Sequence, residues 1–385
     1  MTARRVEVGV VGVGYWGPKL VRNLYDTPSA DLSWVIDRDR TRLERIGQQY
    51  PSVQVSDSYD DLLRSSAEAI VIATPIRTHH ALARAALLHG KHVMIEKPLA
   101  TSAAECEDLI SLADARGLTL MVGHTFEYNA AVRALRQIIQ RGDLGDVYYV
   151  DTARLNLGLF QRDINVIWDL APHDLSILLH VLQREPISIS ARGGAHIQHG
   201  VHDVVFLELR FPDNILANVH LSWLYPRKER RVTIVGSKKM LVCDDVQELE
   251  KIRIYDKGVD LPRRSNQLPH ETDEFFDFHL SYRYGDVSIP HVPFDEPLRT
   301  QCSHFLECVS TGQRPLTDGR EGLTVVRLIE AANQSLNDGG RRVLVGADAT
   351  AGHASSADSF SRRWPAGLRS DASGFANGSA AHTHS

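Results

Sequence analysis

The sequence of 385 residues lacks the features that mark several classes of protein. No apolar run reaches the roughly 20 residues that a membrane-spanning helix needs. No basic cluster indicates nucleic acid, because the formal net charge is −5 and the carboxylates are mixed with Lys and Arg. The four cysteines have neither zinc-site nor redox-motif spacing, which favours free thiols in a reducing compartment. We therefore expect a cytoplasmic globular protein with no membrane, nucleic-acid or metal partner.

The apolar start of the chain, residues 6–14, is interrupted by Glu7 and by glycines, and no small-residue cleavage site follows it. This segment predicts a buried strand rather than a signal peptide. From here to about residue 124, apolar runs alternate with helical patterns, as in a parallel sheet covered on both faces. The predicted strands are 6–14, 32–37, 69–75, 92–98 and 118–124, and the predicted helices are 18–25, 41–50, 79–89 and 103–116.

After about residue 145 most segments are strands joined by turn signals, which predicts a largely antiparallel sheet with one open face. The predicted strands are 146–157, 187–197, 201–211, 214–224, 229–236, 239–243 and 251–255, the helices are 169–183, 297–311 and 319–338, and 256–295 is predicted to be irregular. The predicted fold is therefore α/β: a Rossmann domain with a doubly wound parallel sheet at 1–125, an α+β domain on the open sheet at 126–345, and a disordered tail at 350–385. We expect the open face to build a homodimer or homotetramer.

The first predicted strand ends in the pattern GxGxxG, which stands before a predicted helix. In this context the pattern binds a dinucleotide. Gly12 permits the tight turn, Gly14 lets the backbone approach the pyrophosphate, and Gly17 allows the helix to pack closely on the strand. The helix N-terminus then offers unpaired N–H groups to the phosphates. The predicted cofactor-binding segment is Gly12-Val13-Gly14-Tyr15-Trp16-Gly17.

The second predicted strand ends in Asp37, twenty residues after Gly17. An acidic residue there accepts hydrogen bonds from the adenosine ribose and repels a 2′-phosphate, which favours NAD over NADP. Arg38 follows and complicates this prediction, because a guanidinium can stack on adenine or bind a phosphate. NAD is the predicted cofactor and NADP the alternative.

The fourth predicted strand ends in Glu96-Lys97-Pro98. Ligands of an open α/β sheet bind outside the carboxyl ends of its strands, so Lys97 is expected close to the nicotinamide ring. A solvated surface lysine is the alternative.

Together these features resemble the Gfo/Idh/MocA oxidoreductases, the family of glucose–fructose oxidoreductase and inositol dehydrogenase. The resemblance covers about residues 5–345 in order. The matching segments are GVGYWG at 12–17, ATPIRTHHALARAAL at 73–87, EKPLA at 96–100 and WDLAPHD at 168–174. It implies that Lys97 is catalytic and that the D-x-x-x-H element of the family falls on Asp169 and His173.

A helix beginning near Asp169 places Asp169 and His173 on one face, with Pro172 in its first turn. His173 is then the expected general base for the substrate hydroxyl, and Lys97 stabilises the developing alkoxide. Asp169 positions substrate hydroxyls or orients His173. Which of Lys97 and His173 is the formal base stays open.

The resemblance also implies that Thr74, Pro75, His79 and Glu96 line the cofactor, although His79 is equally compatible with a surface position at a helix N-terminus. Weaker substrate candidates follow the fifth strand, share a face of a second-domain strand or precede the catalytic helix. They are Tyr128, Asn129, Arg154, Asn156, Asn165 and Trp168.

The expected activity is oxidation of a secondary hydroxyl of a sugar or nucleotide sugar by NAD⁺. Residues 158–174 are similar to relatives that form 3-keto sugar nucleotides, which implies C3 of a UDP-sugar. An inositol or free-sugar dehydrogenase and a keto-sugar reductase are the enzymatic alternatives. A non-catalytic NAD-binding regulator is the alternative of another class.

Overall fold

The computed structural model describes residues 4–158, 160–161, 164–260 and 281–345. Its first sheet contains strands β1 (Val6–Val11), β2 (Ala30–Ile36), β3 (Gln54–Ser56), β4 (Ala69–Ile72), β5 (His92–Glu96) and β6 (Leu120–Gly123). These strands are parallel and lie in the order β3-β2-β1-β4-β5-β6. This is the strand order of a Rossmann sheet, which confirms the predicted fold of the N-terminal part.

Five helices connect or flank these strands: α1 (Gly17–Tyr25), α2 (Arg40–Gln49), α3 (Tyr59–Arg64), α4 (His79–Leu88) and α5 (Ala103–Arg116). The sequence predicted four of them and five of the six strands. It missed β3 because that strand has only three residues, none of them buried, so no apolar run marks it. It also missed α3, a helix of only six residues.

The second sheet follows helix α6 (Ala130–Gln140) and has nine strands, one of which precedes helix α7 (Val166–Leu182). The strands are β7 (Val147–Leu157), β8 (Ser188–Gly194), β9 (Val204–Arg210), β10 (Leu216–Ser222), β11 (Leu224–Gly236), β12 (Met240–Asp244), β13 (Ile252–Asp260), β14 (Ser281–Ser288) and β15 (Val343–Leu344). Their order is β14-β13-β12-β11-β7-β10-β9-β8-β15. The pair β7 and β10 is parallel and the other pairs are antiparallel, which confirms a largely antiparallel sheet.

Two predictions for this part were wrong in detail, and one helix was missed. The segment 256–295 is not irregular throughout, because β13, predicted to end at residue 255, extends to Asp260, and β14 pairs with it. The exposed residues of β14 gave no sign of a strand. Helix α6 was not predicted. Helix α7 begins at Val166, three residues before the predicted start, so Pro172 lies inside the helix rather than in its first turn.

Two further helices follow the second sheet in sequence. Helix α8 (Pro297–Thr311) packs against the first sheet, and helix α9 (Gly319–Asn337) contributes to the cores of both sheets. Phe305 of α8 shares an apolar core with Val8 and Val71, and Val326 of α9 shares another with Ile95. All four cysteines are buried free thiols, as predicted. Within the described ranges, no helix is both long and apolar enough to cross a bilayer. The predicted disordered tail, 350–385, lies outside the described residues.

Candidate active site

The turn after β1 contains three glycines that are needed for different reasons. Gly12 has a φ of +93°, and a Cβ there would lie 2.7 Å from the Ala73 oxygen. A Cβ on Gly17 would lie 2.0 Å from the Gly12 oxygen. A Cβ on Gly14 would instead meet only Arg42 Nη1, at 3.7 Å. The fold itself therefore requires Gly12 and Gly17, whereas Gly14 leaves open space in which a ligand can approach the backbone.

The N-terminus of α1 has the character of an anion site. Its N-cap residue, Trp16, makes no side-chain capping hydrogen bond, and Pro18 has no N–H. Tyr15 is 78% exposed, and Lys19 Nζ lies 4.3 Å and 4.0 Å from the ring centroids of Tyr15 and Trp16. Backbone N–H groups, the helix dipole and a lysine thus meet beside the glycine turn, an arrangement that fits a dinucleotide pyrophosphate.

Asp37 lies directly after β2, beside the same turn. Its Oδ2 accepts a hydrogen bond from the Val13 N–H at 2.6 Å, and its Oδ1 accepts one from the Asp39 N–H at 2.8 Å. Arg42 Nη1 is 4.0 Å away, and Arg38 is exposed. These contacts fix the carboxylate where a Rossmann domain distinguishes a ribose hydroxyl from a phosphate.

The loops after β4 and β5 are tied together by His79, the first residue of α4. Its ring nitrogens lie 2.9 Å from the Pro98 oxygen and 2.8 Å from the Thr74 oxygen, and the side chain is 1% exposed. Thr78 Oγ1 donates to the Pro75 oxygen at 2.7 Å and contacts Thr74 Oγ1. Burial lowers the pKa of His79, whereas the two carbonyl contacts raise it. The surface alternative for His79 is therefore wrong.

Glu96, the last residue of β5, is buried at the carboxyl edge of the sheet. Burial raises its pKa to about 7, and the adjacent charge of Lys97 opposes that shift. A Cβ on Gly123 of the neighbouring strand would lie 3.2 Å from Glu96 Oε2, so the glycine provides the space for this carboxyl group. The peptide bond between Lys97 and Pro98 is cis.

Lys97 joins the first sheet to helix α7. Its Nζ donates to the Asp169 backbone oxygen at 2.7 Å and lies 3.4 Å from Asp169 Oδ1. The other carboxylate oxygen, Oδ2, accepts from Trp223 Nε1 at 3.0 Å, and Trp223 is fully buried. The side chain of Lys97 is 13% exposed, so the solvated-surface alternative is wrong. The Asp169 carboxylate thus contacts Lys97 and Trp223, and orients the ammonium group.

His173 lies one helical turn after Asp169, on the same face of α7. Its Nδ1 is buried without a hydrogen-bond partner among the described residues, and its ring packs edge-on against Phe126 at 5.0 Å between centroids. Burial, and then the positive charges of Lys97 and Arg154, hold the pKa of His173 well below its ordinary value. The imidazole is therefore neutral at neutral pH, the state in which it can accept a proton.

Two arginines surround Phe126 beside this histidine. Arg154, on β7, is 5% exposed and pairs with Asp174, and its guanidinium carbon lies 4.4 Å from the Phe126 ring centroid. The guanidinium carbon of Arg230 lies 5.6 Å from the same centroid. Arg154 was predicted as a substrate residue, and the structure places its guanidinium deep in the wall of the site.

Two other substrate candidates have structural partners. Tyr128 is 3% exposed, and its hydroxyl contacts His304 Nδ1 at 3.0 Å and Thr317 Oγ1 at 3.2 Å. Asn129 caps helix α6 by accepting the Ala131 N–H at 2.8 Å. These contacts explain both residues as parts of the fold.

The remaining candidates lie on or near α7. Asn165 is its N-cap: Oδ1 accepts the Ile167 N–H at 3.1 Å, and the amide donates to Asn333 Oδ1 at 2.7 Å. Trp168 is inside the helix and packs between the two cores. Asn156 lies two residues after Arg154 on β7 and is partly exposed, and no side-chain hydrogen bond to another described residue explains it.

Three residues of the site were not predicted from the sequence: Trp223, Phe126 and Arg230. Each reaches the site from a different element, and no motif spacing connects them to Lys97. Trp223 lies within the predicted strand 214–224, where an aromatic residue is an ordinary core residue.

With this geometry established, comparison with known proteins defines the class. Residues 6–124 match the family described as "Oxidoreductase family, NAD-binding Rossmann fold" (GFO_IDH_MocA), and residues 132–242 match the "GFO/IDH/MocA C-terminal domain". The chain belongs to this family of oxidoreductases.

Among individual proteins, the chain is 28% identical to UDP-N-acetylglucosamine 3-dehydrogenase of Acidithiobacillus ferrooxidans, over 72% of this chain and 90% of the relative. It is also 28% identical to 2,7-anhydro-N-acetylneuraminate hydratase of Escherichia coli, over 70% and 74%. The solved structure of GenD2 from gentamicin A biosynthesis, in complex with NAD, superposes with a TM-score of 0.74 at 22% identity, covering 90% of this chain and 98% of that one.

Proposed function

We propose that this protein is an NAD-dependent dehydrogenase that oxidises a secondary hydroxyl of a sugar or nucleotide sugar to a ketone. The observation that carries the proposal is the position of Lys97 against Asp169, one helical turn from a neutral His173. The similarity to a UDP-N-acetylglucosamine 3-dehydrogenase supports a UDP-sugar as substrate and C3 as the position oxidised.

Three features support NAD as the cofactor. Space is open beside Gly14, the N-terminus of α1 is uncapped, and Asp37 is held beside the turn by two backbone N–H groups. The carboxylate favours NAD over NADP, because it repels a 2′-phosphate. NADP, with Arg38 as phosphate partner, is the alternative.

The chain's own residues supply the proton chemistry. When bound, NAD⁺ accepts the hydride from the carbon that bears the hydroxyl. His173 takes the hydroxyl proton, because its buried imidazole is neutral. The ammonium group of Lys97, held by Asp169, stabilises the negative charge that develops on the same oxygen. Trp223 keeps the Asp169 carboxylate in place through Nε1.

The panel that tests this proposal contains UDP-sugars, free sugars and inositols, each incubated with NAD⁺ or NADP⁺ while NADH or NADPH absorbance is followed. Keto-sugars with NADH test the reverse direction. Reduced cofactor produced with a UDP-sugar supports the sharp proposal, and turnover of inositol or a free sugar alone replaces it with that activity. Tight NAD binding without turnover in either direction would favour the regulator.

We also propose that the open face of the second sheet forms a dimer or tetramer. Phe206 on β9 is 54% exposed and stacks on His220 of β10 at 4.3 Å between ring centroids. An apolar group on a sheet face suits an interface. A monomeric mass by light scattering would refute this. The buried free thiols are compatible with the proposed cytoplasmic location.

A further inference from the structure

Behind the candidate active site, four ionisable side chains meet in the interior. His124 follows β6, Glu127 lies in the next turn, His180 is in the last turn of α7, and Glu321 is in the first turn of α9. His124, Glu127 and His180 are 1%, 2% and 5% exposed. None of the four has a role in the proposed dehydrogenase chemistry.

Their hydrogen bonds account for only half of their polar atoms. His124 Nδ1 lies 2.6 Å from Glu321 Oε2, and His180 Nδ1 lies 2.9 Å from Glu127 Oε2. The other polar atom of each side chain is buried and has no partner among the described residues: His124 Nε2, Glu127 Oε1, His180 Nε2 and Glu321 Oε1. Unpartnered buried polar atoms are costly, so four in one cluster indicate a bound ligand or a proton shared by the two carboxyl groups.

The negative charge of the two carboxylates favours a cation as the ligand. Across the described ranges, neither Glu127 nor Glu321 forms an ion pair with Lys or Arg. Two neighbouring carboxylates in a dry interior repel each other unless a proton or a cation lies between them. One ligand atom from each of His124, Glu127 and Glu321 lies within 4.8 Å of the others.

We propose that His124, Glu127 and Glu321 bind a divalent transition-metal ion of the Zn²⁺ or Mn²⁺ type. One nitrogen and two carboxylate oxygens suit such an ion. A tetrahedral site with bonds of about 2.0–2.1 Å separates its ligand atoms by about 3.3 Å. His124 Nδ1 and Glu321 Oε2, at 2.6 Å, would move apart by less than about 1 Å to reach that separation, and the separations from Glu127 already lie within 4.8 Å. His180 donates to Glu127 as an outer-sphere partner that orients the carboxylate.

This ion joins elements that are far apart in sequence. His124 and Glu321 are separated by 197 residues, which is why motif spacing predicted no metal site. The ion connects the end of β6 to α9, and through His180 it supports the C-terminal end of α7, whose other end carries Asp169 and His173. The proposed role is structural.

The test begins with the full-length protein purified without chelators. Elemental analysis is expected to find about one equivalent of Zn²⁺ or Mn²⁺. Protein that is unfolded and refolded in chelator is expected to have a lower Tm than the protein as purified. Adding Zn²⁺ at about a hundred times its Kd should then raise the equilibrium constant for folding about a hundredfold. Protein that carries no stoichiometric metal, and whose Tm after refolding does not respond to Zn²⁺ or Mn²⁺, overturns the proposal in favour of a proton shared by the carboxylates.

Variants locate the ion. Glu321→Gln and Glu127→Gln are each expected to lose the ion. Any metal that these two variants still contain measures binding at other sites, such as other histidines of the chain. The matched control is His80→Gln, because His80 Nε2 lies 2.7 Å from Asp108 Oδ2 in a surface pair with no second carboxylate bound to it. The control should keep the metal. If a cluster variant does not fold, the change in Tm of the refolded natural protein on addition of Zn²⁺ decides whether the ion binds. If Glu321→Gln and Glu127→Gln fold and keep the metal, the ion is not bound at this cluster.

Discussion

Replacing Lys97 with Met tests whether the ammonium group acts in catalysis or only in the fold. Lys97 stands at the carboxyl end of β5 and donates to the Asp169 backbone oxygen at 2.7 Å. The chain offers a matched control at the opposite end of the same strand. Lys91 is 9% exposed and donates to the Ser65 backbone oxygen, also at 2.7 Å. Lys91 and Lys97 flank this strand six residues apart, about 20 Å at about 3.3 Å per residue, so Lys91→Met removes an equivalent bond without touching the site.

Each substitution removes a charge-assisted hydrogen bond, which costs roughly 1.5–3 kcal/mol of stability. The effects on turnover should differ. Loss of a preorganised positive charge at a developing alkoxide lowers kcat by roughly 10²- to 10³-fold, and the 13% exposure of Lys97 limits compensation by solvent. We expect kcat of Lys97→Met to fall by that factor while the variant still binds NADH. We expect kcat of Lys91→Met to stay within about threefold of the natural enzyme.

The assay is initial-rate NADH formation with the substrate that the panel identifies, accompanied by NADH titration and thermal unfolding of each variant. If folded Lys97→Met turns over as fast as Lys91→Met, Lys97 does not stabilise the reacting oxygen. If Lys97→Met fails to bind NADH, its role lies in cofactor binding.

Three further predictions use the same protein. Asp37→Asn keeps only one of the two oxygens that accept backbone N–H groups and removes the charge, so the ratio of NADH to NADPH affinity should fall at least about tenfold; an unchanged ratio contradicts the assigned role. Trp223→Phe removes the donor to Asp169 Oδ2 and should lower kcat about 10- to 100-fold with unchanged NADH affinity, whereas an unaffected kcat means that Asp169 needs no such support. Burial raises the pKa of Glu96 to about 7, so the folded protein binds this proton more tightly than the unfolded chain does. The natural protein therefore loses stability relative to Glu96→Gln as the pH rises from about 4.5 to 7. Denaturant unfolding without cofactor should show that difference approaching about 3 kcal/mol; a constant difference across the range means Glu96 is not perturbed.

The parts of the fold that the sequence predicted are those with strong local signals. The buried strands of the parallel sheet are apolar runs, and the glycine pattern at 12–17 marks the turn that follows the first of them. The errors occurred where local signals are weak. β14 is exposed and polar, so its pairing with β13 depends on a partner strand rather than on a buried face. The location of α8 against the first sheet depends on long-range packing that no periodic pattern encodes.

The candidate site divides in the same way. Lys97 was predicted from its place at a strand end, and Asp169 and His173 from the resemblance to the family's D-x-x-x-H element. Trp223 was not, because its hydrogen bond to Asp169 exists only after β10 is placed beside α7.

The geometry of this site also explains why neither sheet suffices for the proposed reaction. Lys97 is fixed at the end of a strand of the first sheet, whereas Asp169 and His173 are carried by a helix that packs on the second. The contact of Lys97 with the backbone oxygen of Asp169 sets the distance between them, and Trp223 fixes the carboxylate from the second sheet. A shift of α7 relative to β5 would therefore separate the base from the charge that stabilises the alkoxide. Since misplacement by about 1 Å costs about a hundredfold in rate, residues that lock α7 in place matter to catalysis even where they touch no substrate.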